Sequence, residues 1–241
     1  MTMAANEFDR LRPAASPREL FAALAREMQE GANARDPAEV LAGARLRAHR
    51  ARLEVLDPPV TPDDLRRLRD DAMDPSKPLQ AVQWFLDGGD KKKPHRFLVL
   101  AGTYGLGKTV AAVWGLLEQA RRDEARGLAP LAGSAGGYVL RAQVMRQLAT
   151  SFDAKDRELL DRYMRARFLI LDELGGEDMD DKTKERMDEF VNDRQRANAL
   201  TIMTANLSLA ALTERYGKRW LERIRHQGAV IHVTGESLRR R

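Results

Sequence analysis

The chain has 241 residues and carries 41 Lys+Arg against 36 Asp+Glu, a formal net charge of +5. Hydrophobic residues make up 43% and charged residues 32%, a globular balance that excludes a wholly disordered chain. No cysteine occurs, which excludes disulfides, thiolate-built zinc clusters and a cysteine nucleophile.

Three segments near the start share one helix-start device. Ser16-Pro17-Arg18-Glu19, Asp36-Pro37-Ala38-Glu39 and Thr61-Pro62-Asp63-Asp64 each offer a capping side chain, a proline at the first helical position and an acid two residues later. The cap oxygen accepts from an orphan backbone N–H, the proline has no N–H to lose, and the acid complements the helix dipole. The helices that follow carry narrow apolar stripes, such as Leu20, Phe21, Leu24 and Met28. So few large apolar groups cannot bury much core alone. Residues 1–75 are therefore read as a helical partner-binding region that docks on another surface, with a flexible tail as the other reading.

Asp74-Pro75-Ser76-Lys77-Pro78 breaks the pattern, and a short helix with Leu79, Val82, Phe85 and Leu86 follows. Beyond Lys91-Lys92-Lys93-Pro94 the chain alternates strand and helix. Strands are predicted at Arg96–Ala101, Tyr138–Leu140, Phe168–Leu171, Leu200–Thr204 and Val230–Val233. Helices are predicted at Lys108 to Arg126, Ala142 to Thr150, Asp156 to Arg165, Asp181 to Ala197 and Leu207 to Arg225. Short strands that are apolar on both faces suit a parallel sheet covered by helices, so residues 76–241 read as one α/β three-layer domain. Gly127 to Gly137 reads as a loop. Met145, Leu148 and Phe152 read as core.

Gly102-Thr103-Tyr104-Gly105-Leu106-Gly107-Lys108-Thr109 fits G-x-x-x-x-G-K-[ST] between a predicted strand and a predicted helix. Glycines let the backbone turn its N–H groups onto a phosphate at a positive helix end. Lys108 is placed to reach the β/γ-phosphate oxygens of ATP, and the Thr109 hydroxyl to ligate Mg²⁺. About sixty residues on, Phe168-Leu169-Ile170-Leu171-Asp172-Glu173 is an apolar strand ending in two carboxylates. Asp172 suits the water shell of Mg²⁺, and Glu173 suits polarising an attacking water. Thr201-Ile202-Met203-Thr204-Ala205-Asn206 delivers an amide that can both donate and accept, toward the attacking water or the γ-phosphate. The plain reading of Asn206 is an N-cap for the helix at Leu207.

The series of the phosphate loop, I-L-D-E-L-G, T-A-N-L, Gly217-Lys218-Arg219-Trp220-Leu221-Glu222-Arg223-Ile224 and Ser237-Leu238-Arg239 resembles the DnaC/IstB-type AAA+ ATPases. That group includes bacterial and phage replicative helicase loaders and the ATPase regulators of one class of transposon. The resemblance covers roughly Pro78 to Arg241. It implies an AAA+ fold with a 5-1-4-3-2 sheet, ATP and Mg²⁺ as cofactors, and ATP-dependent self-association into an oligomer. It also implies a replicative helicase (or a transposase) and single-stranded or duplex DNA as partners. Asn206 matches the sensor-1 residue, Arg223 the arginine finger and Arg239 the sensor-2 arginine. Arg194 matches an arginine that the family places after the Walker B helix. Two positions depart from the pattern: Tyr104 is larger than usual in the loop, and Ala205 replaces a common serine.

The favoured reading is an ATP-switched loader that places a replicative helicase on single-stranded DNA. A transposition regulator that binds duplex DNA and recruits a transposase is the alternative. A P-loop kinase of a small molecule has no use for a glutamate poised on water beside Asp172, and a nucleotide-locked scaffold would not need Glu173 and Asn206. The sequence pI of about 9.6 and the 32 Arg against 9 Lys suit a polyanionic partner, and a GC-rich genome explains the ratio equally well. Arg223 has a plain reading too, as the partner of an acid on the next turn of its own helix. Arg141 and Arg146 read as a solvated face, with a nucleic-acid path as the other option. His49, His95, His226 and His232 show no ligand spacing, so no zinc is predicted. No apolar run approaches the ~20 residues of a membrane helix, and Met1 to Asp9 lacks an apolar h-region, so a cytoplasmic chain without a membrane partner is expected.

Overall fold

A computed structural model describes residues 77–89, 95–127, 137–235 and 237. The three capped N-terminal segments, Lys91-Lys92-Lys93 and Arg239 lie outside the described residues. In chain order the elements are α1 (Lys77–Leu86), β1 (Phe97–Ala101), α2 (Lys108–Ala125), β2 (Gly137–Arg141), α3 (Ala142–Thr150), α4 (Ala154–Met164), β3 (Phe168–Leu174), α5 (Asp181–Arg196), β4 (Leu200–Ala205), α6 (Leu209–Tyr216), α7 (Lys218–His226) and β5 (Gly228–His232).

Phe97, Leu98, Val99, Leu100 and Ala101 are all fully buried, because β1 has strands on both sides and helices on both faces. The sheet runs β2-β3-β4-β1-β5, and every pairing is parallel. Read from the other edge this is the expected 5-1-4-3-2 order. Parallel strands need helical crossovers, and continuous apolar runs such as Phe168-Leu169-Ile170-Leu171 are what a sheet covered twice requires. Met145 and Leu148 of α3 join that core. Phe152 does not: it is 89% exposed in the turn between α3 and α4, with the Lys182 ammonium 5.8 Å from its ring centre. Apolarity alone placed it inside; the chain reversal at Ser151 carries it out.

The predicted helix from Leu207 to Arg225 is two helices. Gly217 sits between them at φ +92°, a conformation that costs a residue with a Cβ dearly, so the helix ends at Tyr216 and restarts at Lys218. Arg194, at the end of α5, is fully buried and has no carboxylate partner among the described residues. Its guanidinium donates to Thr201 Oγ1 at 3.0 Å, Met164 O at 3.0 Å, Leu200 O at 2.7 Å and to Ala166 O. One side chain thereby ties the end of α4 and the starts of β3 and β4 together. Burial pushes its pKa down to about 9, so it still carries its proton at neutral pH.

Candidate nucleotide site

The carboxyl ends of β1, β3 and β4 lie along one edge of the sheet, where open α/β folds bind ligands. Gly102 leaves β1 with its N–H on Ala205 O at 3.2 Å, so the phosphate loop starts against the end of β4. Within the loop Leu106 is buried, whereas Thr103 and Tyr104 are exposed, Tyr104 by 67%. Thr103 and Tyr104 therefore offer backbone N–H groups rather than an enclosing side chain. Lys108 opens α2 and is buried, its ammonium donating to Gly102 O at 3.0 Å, Thr103 O at 2.6 Å and Asn206 Oδ1 at 2.9 Å.

Asn206 is not a helix cap. Ser208 caps α6 instead, its side chain accepting from Ala211 N at 3.2 Å. With its carbonyl on Lys108, Asn206 has its NH₂ to offer to another acceptor.

Asp172 is 3% exposed at the tip of β3. Thr109 Oγ1 donates to its Oδ1 at 2.9 Å, and Thr204 Oγ1 donates to the same oxygen. Burial raises the Asp172 pKa, against the opposing pull of those two hydroxyls and of the Lys108 and Arg141 charges. The register between β3 and β4 shifts here: Leu171 pairs with Met203, but Leu174 pairs with Ala205. One extra residue on β3 makes a bulge under the two carboxylates, and Glu173 takes φ +60° within it. That turn points Glu173 outward, exposed, while its N–H donates to Thr204 Oγ1 at 3.1 Å. Thr204 was singled out only as part of a motif, yet it joins Asp172 to the Glu173 backbone. A hydroxyl near the end of a buried strand is the signal, since burying it without a partner is costly.

Thr109 and Asp172 together present a hydroxyl and a carboxylate of the hard-oxygen kind that Mg²⁺ takes, which usually keeps waters and substrate phosphates as its other ligands. Ser237 comes close to the loop as well. A Cβ at Gly105 would lie 2.2 Å from Ser237 Oγ, so Ser237 comes to the loop where a side chain has no room. Arg223 is not gathered with this cluster. Its guanidinium lies 2.6 Å from Asp188 Oδ2 on α5, both side chains about one quarter exposed, so its acid belongs to another helix and not to the next turn of α7. Arg141 and Arg146 are half-buried rather than a solvated face. Arg146 reaches Thr183 Oγ1 at 3.3 Å and Asp178 at 3.6 Å.

The sequence profile of the IstB-like ATP binding proteins matches residues 92–241, more than half of the chain. The chain belongs to that family. The family is one of ATP binding proteins, and the five-stranded parallel order of this chain is that of the AAA+ sheet. The fold is similar to the crystal structure of the DnaC helicase loader, with a TM-score of 0.51 and 24% identity over 64% of this chain and 87% of that one. It is also similar to the crystal structure of DnaI, with a TM-score of 0.54 and 23% identity over 75% of this chain and 94% of that one. No curated protein matches the chain in a sequence comparison. No helix among the described residues of this IstB-like chain is long and apolar enough to cross a membrane.

Proposed function

We propose that the chain is an ATP-hydrolysing AAA+ loader that binds a replicative DNA helicase and places it on single-stranded DNA. The carrying observation is the convergence of Lys108, Thr109, Asp172, Glu173 and Asn206 on one sheet edge. A triphosphate arriving at the loop exchanges the carbonyl contacts of Lys108 for phosphate oxygens, and backbone N–H groups from Thr103 to Thr109 take the rest. Thr109 and Asp172 would hold Mg²⁺, which would supply neutralisation of phosphate charge. Glu173 takes a proton from the water that attacks the γ-phosphorus, as the bond to the β–γ bridging oxygen breaks and ADP leaves. Asn206 donates its amide to the γ-phosphate or that water, and Arg239 is assigned the sensor-2 contact to the phosphates that the sequence resemblance implies.

Likeness in fold to the DnaC helicase loader supports the choice of partner. The match to the IstB-like profile supports a second reading, in which the same ATPase regulates DNA transposition with duplex DNA and a transposase. In both, residues 1–75 hold the protein partner and residues 76–241 are the ATPase domain. A chain starting near Pro75 is expected to bind ATP and to lose its helicase or transposase in a pull-down; retention of the partner would refute that division.

The activity is tested with two variants. Lys108→Ala loses the point charge on the β/γ-phosphates and is expected to lose fluorescent-ATP binding; unchanged affinity removes the loop assignment. Glu173→Gln is expected to bind ATP but to turn it over ~10²-fold more slowly, the scale of a lost general base.

A further inference from the structure

The turn that carries Glu173 is clamped from the far side by residues that neither the sequence motifs nor the nucleotide site involve. Gly175 N donates both to Glu177 Oε2 at 2.9 Å and to the Tyr216 hydroxyl at 2.8 Å. The Tyr216 hydroxyl in turn donates to Glu177 Oε1, and the Arg215 guanidinium lies 3.5 Å from that same oxygen. Glu177 and Tyr216 are 2% and 5% exposed, so a buried carboxyl has its oxygens met by hydrogen-bond and ion-pair partners. Burial first, and then the adjacent Glu177, hold the phenol pKa well above the ordinary value, which keeps Tyr216 a donor. The turn closes on itself through Gly176 N and Glu173 O at 3.0 Å, and a Cβ at Gly175 would lie 2.4 Å from Leu207 Cδ1. Leu207 directly follows Asn206. Tyr216 also stacks on Trp220 of α7 at 4.6 Å between ring centres.

Glu173 needs such a clamp. Its φ of +60° is costly for a residue with a side chain and persists only where the surroundings hold it. We propose that Glu177 and Tyr216 are positioning residues for hydrolysis: by gripping Gly175 N they hold the bulged turn that aims Glu173, and through Trp220 they join that aim to the helix bearing Arg223. This rests on the assignment of Glu173 as general base.

Tyr216→Phe keeps the ring on Trp220 and removes only the hydroxyl. Under saturating ATP and Mg²⁺, kcat is expected to fall about tenfold or more, since small displacements of a catalytic group are costly. KM and fluorescent-ATP affinity stay near wild type. The Gly175 amide, followed by NMR exchange in protein labelled with ¹⁵N-glycine, should exchange at least about tenfold faster. In a Glu173→Gln background the same substitution should cost nothing further, because the group it aims is gone. If Tyr216→Phe proves unstable, Glu177→Gln carries the same comparison. A Tyr216→Phe chain with wild-type kcat while Glu173→Gln is inactive overturns the clamp alone, as does an equal loss in the Glu173→Gln background. A Glu173→Gln chain with wild-type turnover overturns the general-base assignment and the clamp together.

Discussion

Asp172 pairs a functional position with a stability cost. Its pKa is raised by burial, so ionisation is harder in the folded chain than in the unfolded one. That cost is absent below the ordinary carboxylate range, grows as pH rises from there, and is complete above the raised value. Asp172→Asn removes the charge but can still accept from Thr109 and Thr204. Without nucleotide or Mg²⁺ the variant is expected to melt about 2–4 °C higher at pH 7, the size of a ~1 kcal/mol gain for a chain this long. The gain should shrink when both proteins are melted in acid. Mg²⁺-dependent hydrolysis should be lost. A variant that melts lower at pH 7 would mean that the two threonine hydroxyls and Lys108 outweigh the burial cost.

At the scale of elements, Arg194 does what no apolar residue could. The carbonyls of Met164, Ala166 and Leu200 lie where α4 ends and where β3 and β4 begin, and one guanidinium donates to all three. Arg194→Met would fill the volume and leave those acceptors buried and unpaired. An expected loss of about 3–5 kcal/mol, read as a lower urea midpoint, follows from removing one partner of a buried charged network. Arg194→Lys restores the charge with three donors instead of five and should recover part of it. A loss of under ~1 kcal/mol for the methionine variant would show that water reaches these carbonyls. The resemblance named Arg194 as a family position; burial gives it a structural task at the opposite end of the strands from Asp172.

At the scale of the whole molecule, the position of Arg223 concerns assembly. It rests on Asp188 of α5, and the arginine-finger role that the sequence resemblance implies would have it act on a neighbour's ATP. An arginine supplied in this way stabilises the charge on the transferred phosphoryl group by about 10³-fold or more. Arg223→Ala and Lys108→Ala are each expected to be nearly inactive alone and to regain part of the ATPase activity when mixed. In mixed assemblies, Arg223→Ala subunits hold ATP against an intact arginine from Lys108→Ala subunits. Light scattering confirms assembly, and no recovery at any ratio would leave Arg223 with its Asp188 pair alone.

Strand-helix alternation and doubly apolar strands determined the layers and the parallel sheet, because the period and burial of each element are written locally. The G-x-x-x-x-G-K-T loop and the Asp-Glu strand end were legible for the same reason: backbone turns and strand tips are short-range features. Other features were decided only by neighbours distant in the chain. Phe152 turned outward because the α3–α4 reversal left it no core to enter. Asn206 gave up a cap for Lys108, 98 residues away, because Ser208 could cap α6 from a better position. The bulge at Glu173, the Thr204 bridge and the Glu177–Tyr216 clamp depend on which strand lies beside β3 and which helix lies over its turn. Hydrogen-bond partners of buried polar groups are chosen by the tertiary packing, and a local pattern of residues can require a partner without naming it.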